Sequence, residues 1–125
     1  PNEDELSSLV IGSPENEEGI TRDLMNKGIH HIWVRKGARG SVIYSKEDRV
    51  ELRAPEIIIK DSTGAGDAAL AGYVAGWYAG KMKIEALARG HAMAALVLMQ
   101  EGTVARGVDR SVLESHTLKY YPGYE

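Results

Sequence analysis

The sequence contains no cysteine, which excludes a disulfide framework and a thiolate metal centre and leaves it compatible with a reducing compartment. It also lacks a signal-like segment and any apolar run approaching the about 18 residues that cross a bilayer. A soluble, cytoplasmic protein without a membrane partner is therefore expected. No basic cluster suited to a phosphate backbone is present and the net charge is -3, so nucleic acid is not an expected partner. Internal repeats and low-complexity tracts are missing too. What remains is an ordinary globular composition, 43% apolar and 26% charged. A chain of 125 residues predicts a single domain that buries roughly two-thirds of its unfolded surface. It opens with Pro1-Asn2-Glu3-Asp4-Glu5-Leu6, with no initiator methionine and with helix formers at once, which predicts a piece of a longer protein.

Asn2 is placed to cap a short helix reaching Val10, with Glu3, Asp4 and Glu5 in the first turn, where the helix dipole favours negative charge. Gly12 and Pro14 stop it. The spacing of Ile20, Leu24 and Met25 predicts a second helix from Glu15 to Asn26, closed by Lys27 and Gly28. Residues 31–36 and 41–45, HIWVRK and SVIYS, read as two strands joined by a tight turn at Gly37-Ala38-Arg39-Gly40. Two more short strands are predicted, Arg49 to Arg53 and Ile57 to Lys60. After Thr63 the period becomes helical, with Leu70, Val74 and Trp77 as a stripe among alanines and glycines. Ile84, Leu87, His91, Ala95 and Leu98 mark a further helix, ended by Gly102. Asp109 to His116 predicts a last one, before an ordered or frayed Tyr120-to-Glu125 terminus. Helices alternating with strands predict a layered α/β domain. If the chain is a piece, its sheet is incomplete, and the exposed edge is a place for self-pairing into a homo-oligomer.

The run Asp61-Ser62-Thr63-Gly64-Ala65-Gly66-Asp67 stands where a helix begins. Gly64 and Gly66 can turn successive N–H groups around one point, and at a helix N-terminus those donors have no intrahelical acceptor, so the stretch is a candidate anion hole. Asp67 would oppose a bound phosphate unless it took a proton beside it, which is the work of a general base. Read by itself the stretch is equally a loop with a capping aspartate, and both readings stay open at this point. It is not a Walker A loop, since no Gly-Lys-Ser/Thr follows, nor a dinucleotide fingerprint, since the third glycine is misplaced.

Residues 61–72, DSTGAGDAALAG, closely resemble the C-terminal signature of the ribokinase-like, or PfkB, family of carbohydrate and nucleoside kinases. Three further matches occur in the family's order. Asn2-Glu3-Asp4-Glu5 resembles its Asn-x-x-Glu motif, Gly37 and Gly40 its Gly-x-x-Gly turn, and the helix ending near Gly102 its penultimate helix. The resemblance implies a partial ribokinase-like α/β/α fold. It further implies transfer of the γ-phosphoryl group of ATP, with magnesium, to a hydroxyl of a small-molecule sugar or nucleoside. Asp67 would be the catalytic base, and Gly64, Ala65, Gly66 and the Asp67 N–H the anion hole. Asn2 and Glu5 correspond to the motif that holds magnesium through water. Gly37, Gly40, Arg35 and His91 fall on the nucleotide side, and Asp61 and Thr63 where some relatives bind a monovalent cation such as potassium.

Each of these has a plainer reading: Asn2 and Glu5 as a cap and a first-turn acid, His91 as a core histidine, Arg35 and Lys36 as solvent-facing cations. The family's N-terminal glycine-rich motif, sugar-gripping aspartate and lid strands have no counterpart here. The isolated chain is accordingly expected to be inactive, and the alternative is a noncatalytic nucleotide-binding or interaction fragment of the same fold. A donor other than ATP, namely ADP, stays open. The ends of the chain resemble the pseudouridine kinase and related sugar kinase branch.

Overall fold

A computed structural model describes residues 1–9, 16–102 and 106–124. They form two compact units, residues 1–54 and 55–125. The predicted reach of the first helix to Val10 and the start of the second at Glu15, with Gly12 and Pro14 between them, lie outside the described residues.

In the first unit, α1 spans Glu3–Ser8 and α2 Glu17–Asn26. Asn2 caps α1 reciprocally: its side chain accepts from the Glu5 N–H at 2.7 Å while the Glu5 carboxylate accepts from the Asn2 N–H at 3.0 Å. This satisfies two main-chain donors at once. The Asn16 side chain caps α2 by accepting from the Gly19 N–H at 2.7 Å. Strands β1 (His31–Arg35), β2 (Ser41–Ser45) and β3 (Arg49–Leu52) form an antiparallel sheet in the order β1-β2-β3. Ile32 and Val34 of β1 alternate inward, and β2, paired on both edges, is buried along its length. Leu6, Ile20 and Leu24 of the helices pack on Ile32, Val34, Val42 and Tyr44 to make the core.

In the second unit, α3 spans Ala65–Tyr78, α4 Lys83–Leu98 and α5 Arg110–Tyr120. Asp109 caps α5 through the Val112 N–H at 2.9 Å, and the helix runs one turn beyond its predicted end at His116. The tail past it is ordered at Tyr121, which is buried.

Two expectations are overturned. Residues 57–60 form no strand; the Lys60 N–H donates to the Leu98 carbonyl at 2.7 Å, at the end of α4, and Ile58 and Ile59 are exposed. A strand needs a neighbouring ladder for its N–H and C=O groups, and this segment takes a helix end instead. The stripe Leu70, Val74 and Trp77 is also exposed, and α3 buries Ala68, Ala69, Gly72 and Gly76. Backbone proximity decides this. A Cβ on Gly72 would stand 2.5 Å from the Arg89 carbonyl oxygen, and one on Gly76 2.9 Å from the Ala86 Cα. Only the small face admits α4 so closely.

Candidate active site

Residues 60–63 are moored to the far end of α4. Besides Lys60, the Asp61 N–H reaches the Leu98 carbonyl at 3.4 Å. The Asp61 carboxylate accepts from the Thr63 N–H at 2.9 Å. That bond, with help from the Thr63 hydroxyl and the Gly102 N–H, holds the carboxyl below the usual carboxylate range. The Ala65 N–H closes a turn onto the Ser62 carbonyl at 3.3 Å.

Gly64 then caps α3 with φ 83°, a left-handed conformation natural to glycine, and without a side chain to occupy the first-turn donors. The first bond of the helical ladder runs from the Ala68 N–H to the Gly64 carbonyl at 3.0 Å. The Gly66 and Asp67 N–H groups precede it, in the turn where no helical acceptor is available. Asp67 stands in that turn with its side chain exposed. An uncapped helix N-terminus attracts an anion, and an exposed carboxylate in its first turn is reachable by a hydroxyl. Of the residues predicted for the anion hole, then, Ala65 has its amide turned to local structure, and Gly66 and Asp67 stand in the first turn of α3.

The first unit holds the other motif residues. The backbone of Asn2 bridges that of Arg35 in parallel fashion, and the Arg35 N–H donates to the Pro1 carbonyl at 2.8 Å. The Arg35 guanidinium lies 3.7 Å from the Glu5 carboxylate. Between β1 and β2 a single turn of 3-10 helix spans Gly37–Arg39. Both flanking glycines take positive φ, 58° at Gly37 and 98° at Gly40. At Gly40 space is excluded as well, since a Cβ would fall 2.1 Å from the Leu52 carbonyl oxygen.

A family model for the pfkB family of carbohydrate kinases matches residues 1–109. The chain belongs to that family. Among curated pfkB-type relatives, fructoselysine 6-kinase of Escherichia coli (strain K12) is 30% identical over 101 residues, 78% of this chain and 38% of that protein. Ribokinase of Arabidopsis thaliana is 30% identical over 120 residues, 91% of this chain and 32% of that protein. The ribokinase-like α/β fold is shared with ribokinase of Thermotoga maritima, at a TM-score of 0.83 and 24% identity over 93% of this chain and 40% of that one. It is shared also with Arabidopsis ribokinase complexed with ribose and ATP, at 0.80 and 28% over 94% and 39%. The chain thus spans less than two fifths of the length of these curated relatives.

The structure gathers the residues implied by the pfkB resemblance into two sets. Asn2, Glu5, Arg35, Gly37 and Gly40 belong to the first unit, and Asp61, Thr63, Gly64, Ala65, Gly66, Asp67 and His91 to the second. His91 is buried on α4, its Nδ1 2.9 Å from the Tyr121 hydroxyl. Burial pushes the Tyr121 hydroxyl well above the usual phenol range, so it remains protonated. Among the described residues no three of His, Cys, Asp and Glu gather as metal donors, and no helix is long and apolar enough to cross a membrane.

Sequence reasoning missed Arg89. Its guanidinium is 1% exposed, bidentate on Glu114 at 2.8 and 2.7 Å, and donates to the Glu85 and Tyr124 carbonyls at 2.9 Å each. It fastens α4, the helix that α3 rests on, to α5 and the tail. The apolar stripe gave no signal for it, since Arg89, two residues from both Leu87 and His91, lies on the other side of the helix.

Proposed function

We propose that these residues form the nucleotide-facing part of an ATP-dependent kinase that transfers the γ-phosphoryl group to a hydroxyl of a sugar or nucleoside. The observation that carries the reading is the exposed Asp67 in the first turn of a helix whose N-cap, Gly64, presents no side chain. Asp67 removes the acceptor's proton, and the Gly66 and Asp67 amides stabilise the charge that develops on the transferring group. Magnesium, when bound, neutralises phosphate charge. Asn2 Oδ1 is spent on the Glu5 N–H and Glu5 Oε1 on the Asn2 N–H, so a magnesium here meets the remaining oxygen of an exposed carboxylate, which fits contact through water. One Asp61 carboxylate oxygen accepts from the Thr63 N–H, so a potassium ion here would meet the other oxygen or loop carbonyls. The matches to ribokinases and to fructoselysine 6-kinase support a sugar as acceptor.

The test uses a longer protein that contains these residues together with the unmatched portion of the family's length. Asp67→Asn there lowers turnover by about 100-fold or more while MgATP affinity stays within about threefold. Near-normal turnover removes Asp67 from the mechanism. The 125 residues alone are expected to bind MgATP without phosphorylating ribose or fructoselysine, and acceptor-dependent turnover by them would overturn this division of labour. The noncatalytic reading alone predicts that the longer protein binds MgATP and transfers nothing.

A further inference from the structure

The end of β1 and the turn that follows it carry three cations, Arg35, Lys36 and Arg39, beside the two glycines of the turn. Cations at such a place invite assignment as phosphate contacts. Each is instead met by a glutamate from α1 or α2: Arg35 by Glu5, Arg39 by Glu3, and Lys36 by Glu17, whose carboxylate lies 3.0 Å from the ammonium.

The three pairs are unequal. In the first two, the side chains are 39 and 58% and 69 and 42% exposed, and water leaves such pairs little strength. Lys36 and Glu17 are 17 and 22% exposed, so their attraction is screened less. Glu17 is also held from a second direction. Its other carboxylate oxygen accepts from the Tyr44 hydroxyl of β2, and it occupies the first position of α2, where the helix dipole favours its charge. Burial raises the Glu17 carboxyl, but the Tyr44 hydroxyl and the Lys36 ammonium outweigh it and hold it below the usual carboxylate range. Burial and the Glu17 carboxylate together push Tyr44 up to about 12.

Lys36 is also the residue that frames the turn. Its N–H donates to the Gly40 carbonyl at 2.8 Å and its carbonyl accepts from the Arg39 N–H at 3.2 Å. Fixing the Lys36 side chain therefore fixes both ends of the turn.

We propose that Glu17 is a positioning residue that, by clasping Lys36 against Tyr44, sets the main chain of residues 36–40 for a nucleotide. The proposal rests on the reading under Proposed function, in which this turn lies along the nucleotide. Lys36 acts here through its backbone, and its ammonium is not a phosphate contact.

The experiment compares Glu17→Gln, Lys36→Met and the double variant in the 125-residue chain, with two readouts. Amide hydrogen exchange is expected to quicken about tenfold at Arg39 and Gly40 in either single variant, and no further in the double variant. The Ile20 amide of α2 and the amides of Val34 and Val42 keep their rates; acceleration at all of these sites together would mean a general loss of stability and overturn the proposal. Calorimetric titration with MgATP is the second readout. Both single variants weaken binding alike, by about three- to tenfold, and the double variant no more. Weakening by Lys36→Met alone, with Glu17→Gln neutral or tighter, would make the ammonium a phosphate contact and overturn the proposal. Unchanged exchange at Arg39 and Gly40 overturns it outright. Faster exchange at those two amides with MgATP binding unchanged, or absent from the parent chain, removes the turn from the nucleotide site and so sinks that part of the proposed function while the clasp stands.

Discussion

The core of the first unit is built from bulk, and the seam between α3 and α4 in the second from its absence. Leu6, Ile20, Leu24, Ile32, Val34, Val42 and Tyr44 fill the space between helices and sheet in residues 1–54. In residues 55–125, α3 meets α4 through Ala68, Ala69, Gly72 and Gly76 against Ala86 and Arg89, and α3 leaves Leu70, Val74 and Trp77 exposed. Large side chains bury area and tolerate some shape change at the cost of a cavity. Two main chains in near contact tolerate no added atom. The helix that carries Asp67 is held in the second way, so its position is set by what its residues lack.

The ion pair behind that helix provides the largest expected effect. Glu114→Ala strands a guanidinium that is 1% exposed, and a loss of about 4 kcal/mol is expected in denaturant unfolding. A loss below about 1 kcal/mol would show that the Glu85 and Tyr124 carbonyls suffice for Arg89. The same pair sets an acid limit. Hydrogen bonding from Arg89 holds the Glu114 carboxyl below its ordinary value, so its contribution is full above the unfolded carboxylate value of about 4.3 and is lost as pH falls through the lower folded one. Glu114→Gln should flatten that acid limb, and an unaltered limb would assign the acid sensitivity to other carboxylates.

Next comes the contrast between equivalent leucines. Leu6→Ala, at a site 2% exposed, is expected to cost about 3 kcal/mol, and Leu70→Ala, at a site 54% exposed, less than about 0.5. Similar losses at both sites would mean that Leu70 is covered in solution. Gly76→Ala tests the opposite principle: a gain in helix propensity should be outweighed by crowding against Ala86, for a net loss of about 2 kcal/mol in thermal unfolding. A stabilised variant would show that α3 and α4 can move apart freely. The smallest effect belongs to the cap, where Asn2→Ala removes an acceptor from the Glu5 N–H and is expected to cost about 1 kcal/mol. No change in stability there would reserve Asn2 for ligand contact alone.

Local rules were enough wherever the deciding partner lies within a few residues. The Asn2 and Asp109 caps, the glycine-flanked turn between β1 and β2 and the helix start at Gly64 are all of that kind, and each is written in neighbouring residues. The candidate site was legible for the same reason, being a loop and the first turn after it. The pattern of Leu70, Val74 and Trp77 told the period of α3 but not its inward face, because hydrophobicity does not report how near another backbone will come. Residues 57–60 carry strand-forming side chains, yet a ladder needs a neighbour. Lys36 with Glu17 and Arg89 with Glu114 lie 19 and 25 residues apart in the chain. Sequence alone therefore determined the elements, their caps and the loop that bears Asp67. Tertiary structure decided which face is buried and which charges meet, since both depend on groups that only folding brings within a few ångströms.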